Sequence, residues 1–319
     1  MQNMRYIYFT YTTSHDTLKL EKMQEGDLLK MNRSHAKYIA GLLLFGLNGV
    51  VSSQILLSSM NIVLFRTLLG SVFLMFLFAW QRQPLRLFAY PRQLAAVVLS
   101  GVSMGLSWIF LYEAYQRIGV GLSSIAYYCG PVIVMLLTPF VFHKTITGIQ
   151  KLCFGVVFLG IVLISVPDLL GSAAVDSFGL FCGFASAVLH ALMVIFTMKA
   201  PEITGLKNSM IQLVVSFLTV AVFAVALRNI CPPSGLTQWG WMLVLGIVNT
   251  GIGCYLYFAE IAKLPVETVS ILGYLEPLSA VVFAVILLHE HLNAYELIGA
   301  VLIACGAVVS ERAQNPSKL

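Results

Sequence analysis

Glu276 is the residue of this chain that is best placed for chemistry. It lies inside a long apolar stretch, directly before Pro277. A charged side chain at the centre of a bilayer costs about 2.5–3.5 kcal/mol on insertion scales, so such residues tend to face a cavity or to pair. A proline also removes a helical hydrogen bond and leaves a carbonyl able to bind a ligand. Glu276 is therefore a candidate for binding a cation or a transported proton; the alternative is a structural acid, protonated or ion-paired.

Arg66 and His190 are two further titratable residues inside apolar stretches. The guanidinium of Arg66 presents a planar fork of donors that suits a carboxylate, so Arg66 is a candidate to pair with Glu276 or to receive an anionic substrate group. The alternative is a side chain that extends to the outer interface of the membrane. Histidine side chains ordinarily titrate near neutral pH, so His190 is a candidate proton relay; the alternative is a hydrogen-bonded packing residue.

Amides, prolines and aromatic rings complete the set of candidates. Asn48 and Asn249 are mid-span amides that can bond a substrate or hold helices together. Pro131 and Pro277 are candidate hinges. Five aromatic residues can line a pocket for an aromatic or amine substrate, with ordinary core packing as the alternative: Trp108, Tyr112, Tyr127, Tyr128 and Tyr274.

The sequence offers no pattern for a metal or a cofactor. Its six cysteines form no CxxC pair, which argues against a zinc site and against a disulfide framework. His289 and His291 are two positions apart, and this spacing puts their rings on different sides of a helix. The sequence contains no nucleotide-binding loop and no HExxH or GxSxG motif. We therefore expect no metal, no cofactor and no enzymatic activity.

Ten apolar stretches must position these residues. The chain is 59% hydrophobic and 10% charged, whereas soluble proteins carry about 25% charged residues. A bilayer core about 30 Å thick needs about 20 apolar residues in a helix, and a helix satisfies its own backbone where lipid offers no partner. The sequence thus predicts an all-α integral membrane protein with ten transmembrane helices. The predicted spans are 38–54, 61–80, 92–112, 119–142, 149–166, 177–198, 208–227, 238–258, 265–288 and 294–310.

Lysine and arginine are distributed unevenly between the two sides of these spans. Of the 19 such residues, sixteen fall in the tails and in every second loop, while only Arg117 and Arg228 fall in the alternate loops and Arg66 lies within a span. This asymmetry predicts that both termini are cytoplasmic and that the loop Asp168–Asp176 is external. It also accounts for the net charge of +5, so no nucleic-acid partner is expected. The expected location is the inner membrane of a bacterium.

Two polar tails flank the spans. Residues 1–35 are mixed in charge and have no apolar periodicity, which predicts a disordered cytoplasmic tail. Residues 312–319 form a short cytoplasmic tail at the other end. Met31 opens a stretch typical of the start of a membrane protein, so Met23 and Met31 are alternative starts to Met1.

The last five spans repeat the first five. A shift of 146 residues superimposes residues 110–165 on 256–311 without a gap. Residues that bend or closely pack a helix coincide: Pro131 falls on Pro277, Gly160 on Gly306 and Tyr128 on Tyr274. With five spans each, the predicted repeats, 36–168 and 175–311, enter the membrane from opposite sides. Inverted repeats are typical of secondary transporters, whose substrate site lies near the midplane between the halves.

The second half also carries a spaced pattern of proline, glutamate and glycine. Its members are Pro277, Glu290, Gly299 and Gly306. This resembles the EamA-type repeat of the drug/metabolite transporter superfamily, and Arg66 matches an arginine common in the family's second span. The first half departs from the pattern, because Lys144 stands where Glu290 would map. The resemblance implies two four-helix cores around a central cavity, peripheral fifth and tenth spans, and export or exchange of small metabolites.

The leading functional hypothesis is a secondary transporter in a lipid bilayer. It would move a small organic metabolite, such as an amino acid or an amine, by alternating access, as an exporter or an exchanger coupled to a proton or a counter-solute. A homodimer is a further arrangement to consider. The alternatives are an intramembrane lipid-modifying enzyme, which would gather several His, Asp or Arg residues at one interface, and a receptor or assembly subunit that does not transport.

Overall fold

The computed structural model describes residues 33–82, 89–143, 146–164, 176–228, 230–288 and 294–314. Every regular element within those ranges is a helix. Several features discussed above lie outside the described residues. They are nearly all of the predicted N-terminal tail, the loop that precedes Asp176, Lys144, and the segment His289–His291 with Glu290.

The α-helices are numbered in chain order. They are α1 (33–46), α2 (Asn48–Ser52), α3 (Ser59–Trp80), α4 (Pro91–Tyr127), α5 (Cys129–Phe142), α6 (Gly148–Ile164), α7 (Ser177–Met198), α8 (Gly205–Ala226), α9 (Gly235–Leu243), α10 (Gly253–Glu260), α11 (Val266–Leu272), α12 (Leu275–Leu288) and α13 (Ala294–Gln314). A π-helical stretch, Val244–Ile252, joins α9 to α10, and a 3₁₀ turn, Ile261–Lys263, follows α10.

Six helical stretches of the described chain are long and apolar enough to cross a membrane. They are Ser59–Trp80, Pro91–Ile118, Ser177–Met198, Gly205–Ala226, Gly235–Lys263 and Val266–Leu287. Shorter apolar helices cover Cys129–Phe142, Gly148–Leu163 and Leu297–Gly306. The prediction of a helical membrane protein is confirmed at this level, and the number of ten spans stays a prediction.

The chain remains helical where the sequence predicts a loop between the third and fourth spans. Helix α4 runs from Pro91 to Tyr127, yet it is not a straight rod. A Cβ on Gly183 would lie 4.0 Å from the Cβ of Ala114 and 2.7 Å from that of Ala126. These two alanines are thus within about 7 Å of each other, whereas twelve residues of straight helix would separate them by about 18 Å. The chain therefore doubles back within the helical stretch α4.

The two halves of the chain break a helix at equivalent points. Tyr128 interrupts the run between α4 and α5, and Tyr274, 146 residues later, belongs to the turn between α11 and α12. Pro131 and Pro277 therefore lie in the first turns of α5 and α12, where the missing N–H has no helical partner to lose. The carbonyl four residues before Pro277 accepts the Glu276 N–H at 3.3 Å, so it is not left free as the sequence suggested.

Helices α6 and α13 pack against each other through glycines. A Cβ on Gly160 would lie 2.7 Å from the carbonyl oxygen of Gly299, and a Cβ on Gly306 would lie 2.5 Å from Cγ2 of Val157. Both distances are shorter than side-chain packing allows, so only glycine permits this approach of the two backbones. The pair contributes no residue to the cavity described below.

A buried chain of polar side chains ties α4, α8 and α10 together. Ser100 Oγ donates to Gln212 Oε1 at 2.6 Å, and Gln212 Nε2 donates to Asn208 Oδ1 at 2.8 Å. Asn208 Nδ2 in turn donates to the carbonyl of Phe258 at 2.9 Å. Because every member is satisfied, the network fixes the backbone of α10 at a residue that lines the cavity.

Candidate functional site

A cavity of about 190 Å³ lies between the two halves of the chain. Its walls come from α1 to α4 in the first half and from α7, α10 and α12 in the second. One water molecule needs only about 10–15 Å³, so the cavity has room for a small organic molecule.

The first two helices contribute four residues to the wall of the cavity. From α1 and α2 it is lined by Phe45, Gly46, Asn48 and Gly49, which follow the middle of the first helix. Gly49 is exposed and lies at the end of the bundle formed by α2. We call this the Asn48 end, and the opposite end, where α1 begins, the Lys37 end.

Arg66 of α3 is held on three sides in this cavity. Its Nε donates to Thr250 Oγ1 at 3.0 Å, one Nη donates to the Tyr112 hydroxyl at 3.3 Å and the other donates to Asn48 Oδ1 at 3.5 Å. Its guanidinium carbon lies 4.8 Å from the centre of the Trp108 ring. With 3% of its surface exposed, Arg66 does not extend to the membrane interface, which was the alternative drawn from the sequence.

Two N–H donors of Arg66 are left over. A guanidinium has five N–H bonds, and three are used by Thr250, Tyr112 and Asn48. Within the described residues the other two, on the Nη atoms, have no acceptor and Arg66 has no ion pair. They remain available to an anionic group in the cavity.

Glu276 lines the same cavity from the first turn of α12. Among the described residues its carboxylate has no hydrogen-bond partner and no ion pair, including none with Arg66. The residue at the equivalent point of the first half is Gly130, where a Cβ would lie 3.0 Å from Cδ2 of His190. The two halves thus differ here: one contributes an acid to the cavity and the other makes room for a histidine.

His190 of α7 lies in the cavity wall and is hydrogen-bonded. Its Nδ1 is 2.8 Å from the Tyr127 hydroxyl, and the two rings meet edge to face with centres 5.0 Å apart. The Tyr128 ring meets the Tyr127 ring edge to face, with centres 5.3 Å apart. Together with Trp108 and Tyr112, these rings form an aromatic wall around the two charged side chains.

Other residues singled out by the sequence lie outside the cavity lining. Asn249 is buried and its Nδ2 donates to the carbonyl of Leu44 at 3.1 Å, which holds α1 to the π-helical stretch. Tyr274 is fully buried, and its hydroxyl donates to the carbonyl of Tyr128 at 3.3 Å. Neither Pro131 nor Pro277 belongs to the lining.

Aromatic rings close the cavity toward the Lys37 end. Tyr257 belongs to the lining, and its ring centre is 5.0 Å from that of Tyr38 and 5.7 Å from that of Phe45. The Tyr38 hydroxyl donates to the carbonyl of Val269 at 3.1 Å. The ring contact joins the beginning of α1 to α10, and the hydrogen bond joins it to α11.

Glu260 adds an ionic contact at the same end. Its carboxylate accepts hydrogen bonds from Ser34 at 2.8 Å, from Lys37 at 3.0 Å and from Lys263 at 2.9 Å. The Glu260 side chain is only 3% exposed, whereas both lysines are about two-fifths exposed. The first and second halves of the chain are thereby linked where the cavity is closed.

Comparison with known proteins identifies the family. The model of the EamA-like transporter family matches residues 36–166 and 177–311. The chain belongs to the EamA-like transporter family. It is 25% identical over 286 residues to the uncharacterized transporter YxxF of Bacillus subtilis, covering 86% of this chain and 88% of that protein. It is 23% identical over 216 residues to Protein PecM of Dickeya dadantii, covering 66% and 71%.

The fold is shared with a protein of known structure. A crystal structure that is 17% identical in sequence superimposes with a TM-score of 0.73 over 87% of this chain and 97% of that one. As an EamA-like protein the chain is an integral membrane transporter with a small-molecule substrate. These names indicate transport rather than enzymatic activity.

Two residues of this EamA-like protein were not identified from the sequence. Thr250 contacts the candidate residue Arg66, and Glu260 lies where the cavity is closed. Thr250, which holds Arg66, lies in an apolar stretch and carries no charge to draw notice. Glu260 lies near a predicted span end, where an acid looks like part of a solvated loop. Its partners Ser34 and Lys37 are more than 220 residues away in the chain, so their proximity depends on how the helices pack.

A second ion cluster lies at the Asn48 end of the EamA-like fold. Arg117 binds Glu113 at 2.6 Å and Asp176 at 3.1 Å. Asp176 also caps α7 by accepting the N–H of Phe178 at 2.9 Å. The Arg117 guanidinium, and next this backbone N–H, lower the pKa of Asp176 below its ordinary value. The equivalent of Arg117 in the second half is Lys263, so each half pairs a basic residue at this position with an acid.

Proposed function

We propose that this protein is a secondary transporter that moves a small organic metabolite, such as an amino acid or an amine, by alternating access. The observation that supports this best is a cavity between the halves that is lined by both Arg66 and Glu276, which form no ion pair with each other. A guanidinium and a carboxylate that face the same space offer binding points for groups of opposite charge.

The access side supports the same proposal. The Tyr38–Tyr257 ring contact and the Glu260 cluster join the two halves at the Lys37 end, and we propose that the cavity opens at the Asn48 end. Alternating access requires a second state in which these closing contacts separate and the opposite end closes. We propose that the chain has ten spans in two inverted repeats and that both termini are cytoplasmic, so the cavity of this state faces outward.

Direction and coupling are part of the proposal. The protein acts as an exporter or an exchanger, and Glu276 carries the coupled proton or binds the cationic part of the cargo. A carboxyl without a partner in a cavity can take up and release a proton as access alternates.

The test is transport by the purified full-length chain in liposomes. Counterflow of radiolabelled amino acids and amines is expected to exceed that of empty liposomes and to be lost in Arg66→Ala. A variant at a matched residue away from the cavity, Arg92→Ala, is expected to transport normally. Absence of counterflow for every amino acid and amine, with correctly inserted protein, would contradict the proposal.

Orientation is tested separately by cysteine labelling in intact cells. A membrane-impermeant reagent is expected to reach a cysteine placed at Asp168 and not one placed at Glu202. The reverse pattern would show that the termini are outside.

A further inference from the structure

We propose that Thr250 is a positioning residue that orients Arg66 to receive the negatively charged group of the substrate, so that the substrates carry a carboxylate or a similar oxyanion. The inference rests on the proposed function, because it concerns the same cavity. It assigns that cavity a substrate class and assigns a role to a residue outside the cavity lining.

Thr250 owes its position to the π-helical stretch. In such a helix the hydrogen bonds reach five residues back rather than four, and single π-helical turns occur often at functional sites. Thr250 Oγ1 donates to the carbonyl of Leu245, five residues earlier, at 2.8 Å. Because its hydrogen points at Leu245, the hydroxyl presents its lone pairs to Arg66 Nε, which donates at 3.0 Å.

The contact with Thr250 fixes the plane of the guanidinium. Thr250 is fully buried, so water does not compete for the Nε hydrogen. The Tyr112 hydroxyl and Asn48 Oδ1 hold the Nη atoms, and the Trp108 ring covers the guanidinium. A group held in this way keeps its remaining donors in one direction, and a planar pair of donors matches the two oxygens of a carboxylate.

The charge of Arg66 points to the same ligand. Arg66 is 3% exposed, and a buried cation is costly unless an anion compensates it. Within the described residues it has no ion pair, and the acid of the cavity lining, Glu276, does not contact it. All three acceptors of Arg66 are neutral groups. An anionic group of the substrate would supply the missing counter-charge.

The experiment compares three probes that share a phenylethyl skeleton. These are 3-phenylpropionate, which has only the carboxylate, 2-phenylethylamine, which has only the ammonium, and phenylalanine, which has both. Binding to the purified full-length protein is measured by calorimetry for the wild type, Thr250→Val, Thr250→Ser and Arg66→Ala. Thr219→Val is the matched control, since Thr219 bonds only its own helix, at the carbonyl of Val215.

Thr250→Val is expected to weaken binding of 3-phenylpropionate about tenfold or more, as loss of one hydrogen bond to a charged group does. The affinity for phenylalanine is expected to fall by a similar factor, and the affinity for 2-phenylethylamine is expected to be unchanged. Thr250→Ser keeps the hydroxyl and is expected to restore the carboxylate affinities, while Thr219→Val leaves all three unchanged. In an Arg66→Ala background, Thr250→Val should have no further effect.

Two results would overturn the inference. One is wild-type protein that binds neither carboxylate probe; the other is a Thr250→Val variant that keeps its carboxylate affinity or loses affinity for all three probes alike. The proposed function fails differently. If carboxylates bind in a Thr250-dependent way but no probe undergoes counterflow, the positioning role stands and transport is wrong.

Discussion

The hydroxyl of Tyr274 donates to the backbone carbonyl of Tyr128 at 3.3 Å. These tyrosines are equivalent residues of the two repeats, 146 positions apart, and each lies where a helix is interrupted. The two interruptions therefore meet at the centre of the protein. Glu276 lies two residues after Tyr274, and Gly130 lies two residues after Tyr128. At equivalent positions, one repeat therefore has a carboxyl side chain and the other has no side chain.

Glu276→Gln is expected to abolish the pH dependence of transport while the protein stays folded. The amide keeps the shape of the carboxyl but cannot titrate. The measurement is the initial counterflow rate between pH 5 and pH 8, with Glu267→Gln as the control, because Glu267 lies in the neighbouring helix α11 and outside the cavity lining. An unchanged pH profile in Glu276→Gln would mean that the carboxyl is structural and that coupling must be sought at His190.

Glu260→Gln is expected to open the Lys37 end. The neutral amide loses its attraction for Lys37 and Lys263, and because both lysines are partly exposed the shift in the equilibrium is modest, about tenfold or less. Cys254 lines the cavity and reports the change. In a variant whose only cysteine is Cys254, a thiol reagent applied from the Lys37 side should react faster after Glu260→Gln.

The control for this labelling is Glu202→Gln, which removes an exposed acid from the same end. It should leave the reaction rate of Cys254 unchanged. Equal rates in Glu260→Gln and wild type would show that the Glu260 cluster does not limit access.

Asp176→Asn is expected to change the pH dependence of thermal stability. Because Arg117 lowers the pKa of Asp176 in the folded protein, the carboxylate contributes stability above its unfolded pKa of about 3.9. That contribution is lost as the pH falls through the lower, folded value. The Tm of purified wild-type protein should exceed that of Asp176→Asn near pH 6, and the difference should shrink below about pH 4. A difference independent of pH would show that the charge of Asp176 does not contribute to stability.

Gly160→Leu is expected to destabilise the packing of α6 on α13. A side chain at this position meets the backbone of Gly299, and overpacking of this kind costs about 1–3 kcal/mol. Gly155→Leu is the matched control in the same helix, since a Cβ there meets nothing within 4 Å. Thermal unfolding in detergent should show a lower Tm for Gly160→Leu only. Counterflow by the surviving folded fraction should remain, because neither helix lines the cavity.

Amino-acid composition and the internal repeat predicted much of the fold. The apolar stretches predicted a helical membrane protein, and the family match confirms the resemblance drawn from Pro277 and the spaced glycines. The sequence could also predict a membrane depth for Arg66 and Glu276, because position along a helix follows from residue number. The helical conformation of the segment that reverses within α4 was not readable, since the sequence predicted a loop there.

Sequence alone thus determined which polar residues lie within apolar helical stretches, and only the tertiary structure decided which of them face the cavity. Asn48 lines the cavity and Asn249 does not; Tyr128 lines it and Tyr274 lies behind it. The physical reason is that lipid and protein core are both apolar. A membrane helix therefore lacks the one-sided pattern that marks the buried face of a soluble helix, and contacts such as that of Arg66 with Thr250, 184 residues apart, depend on how the helices pack.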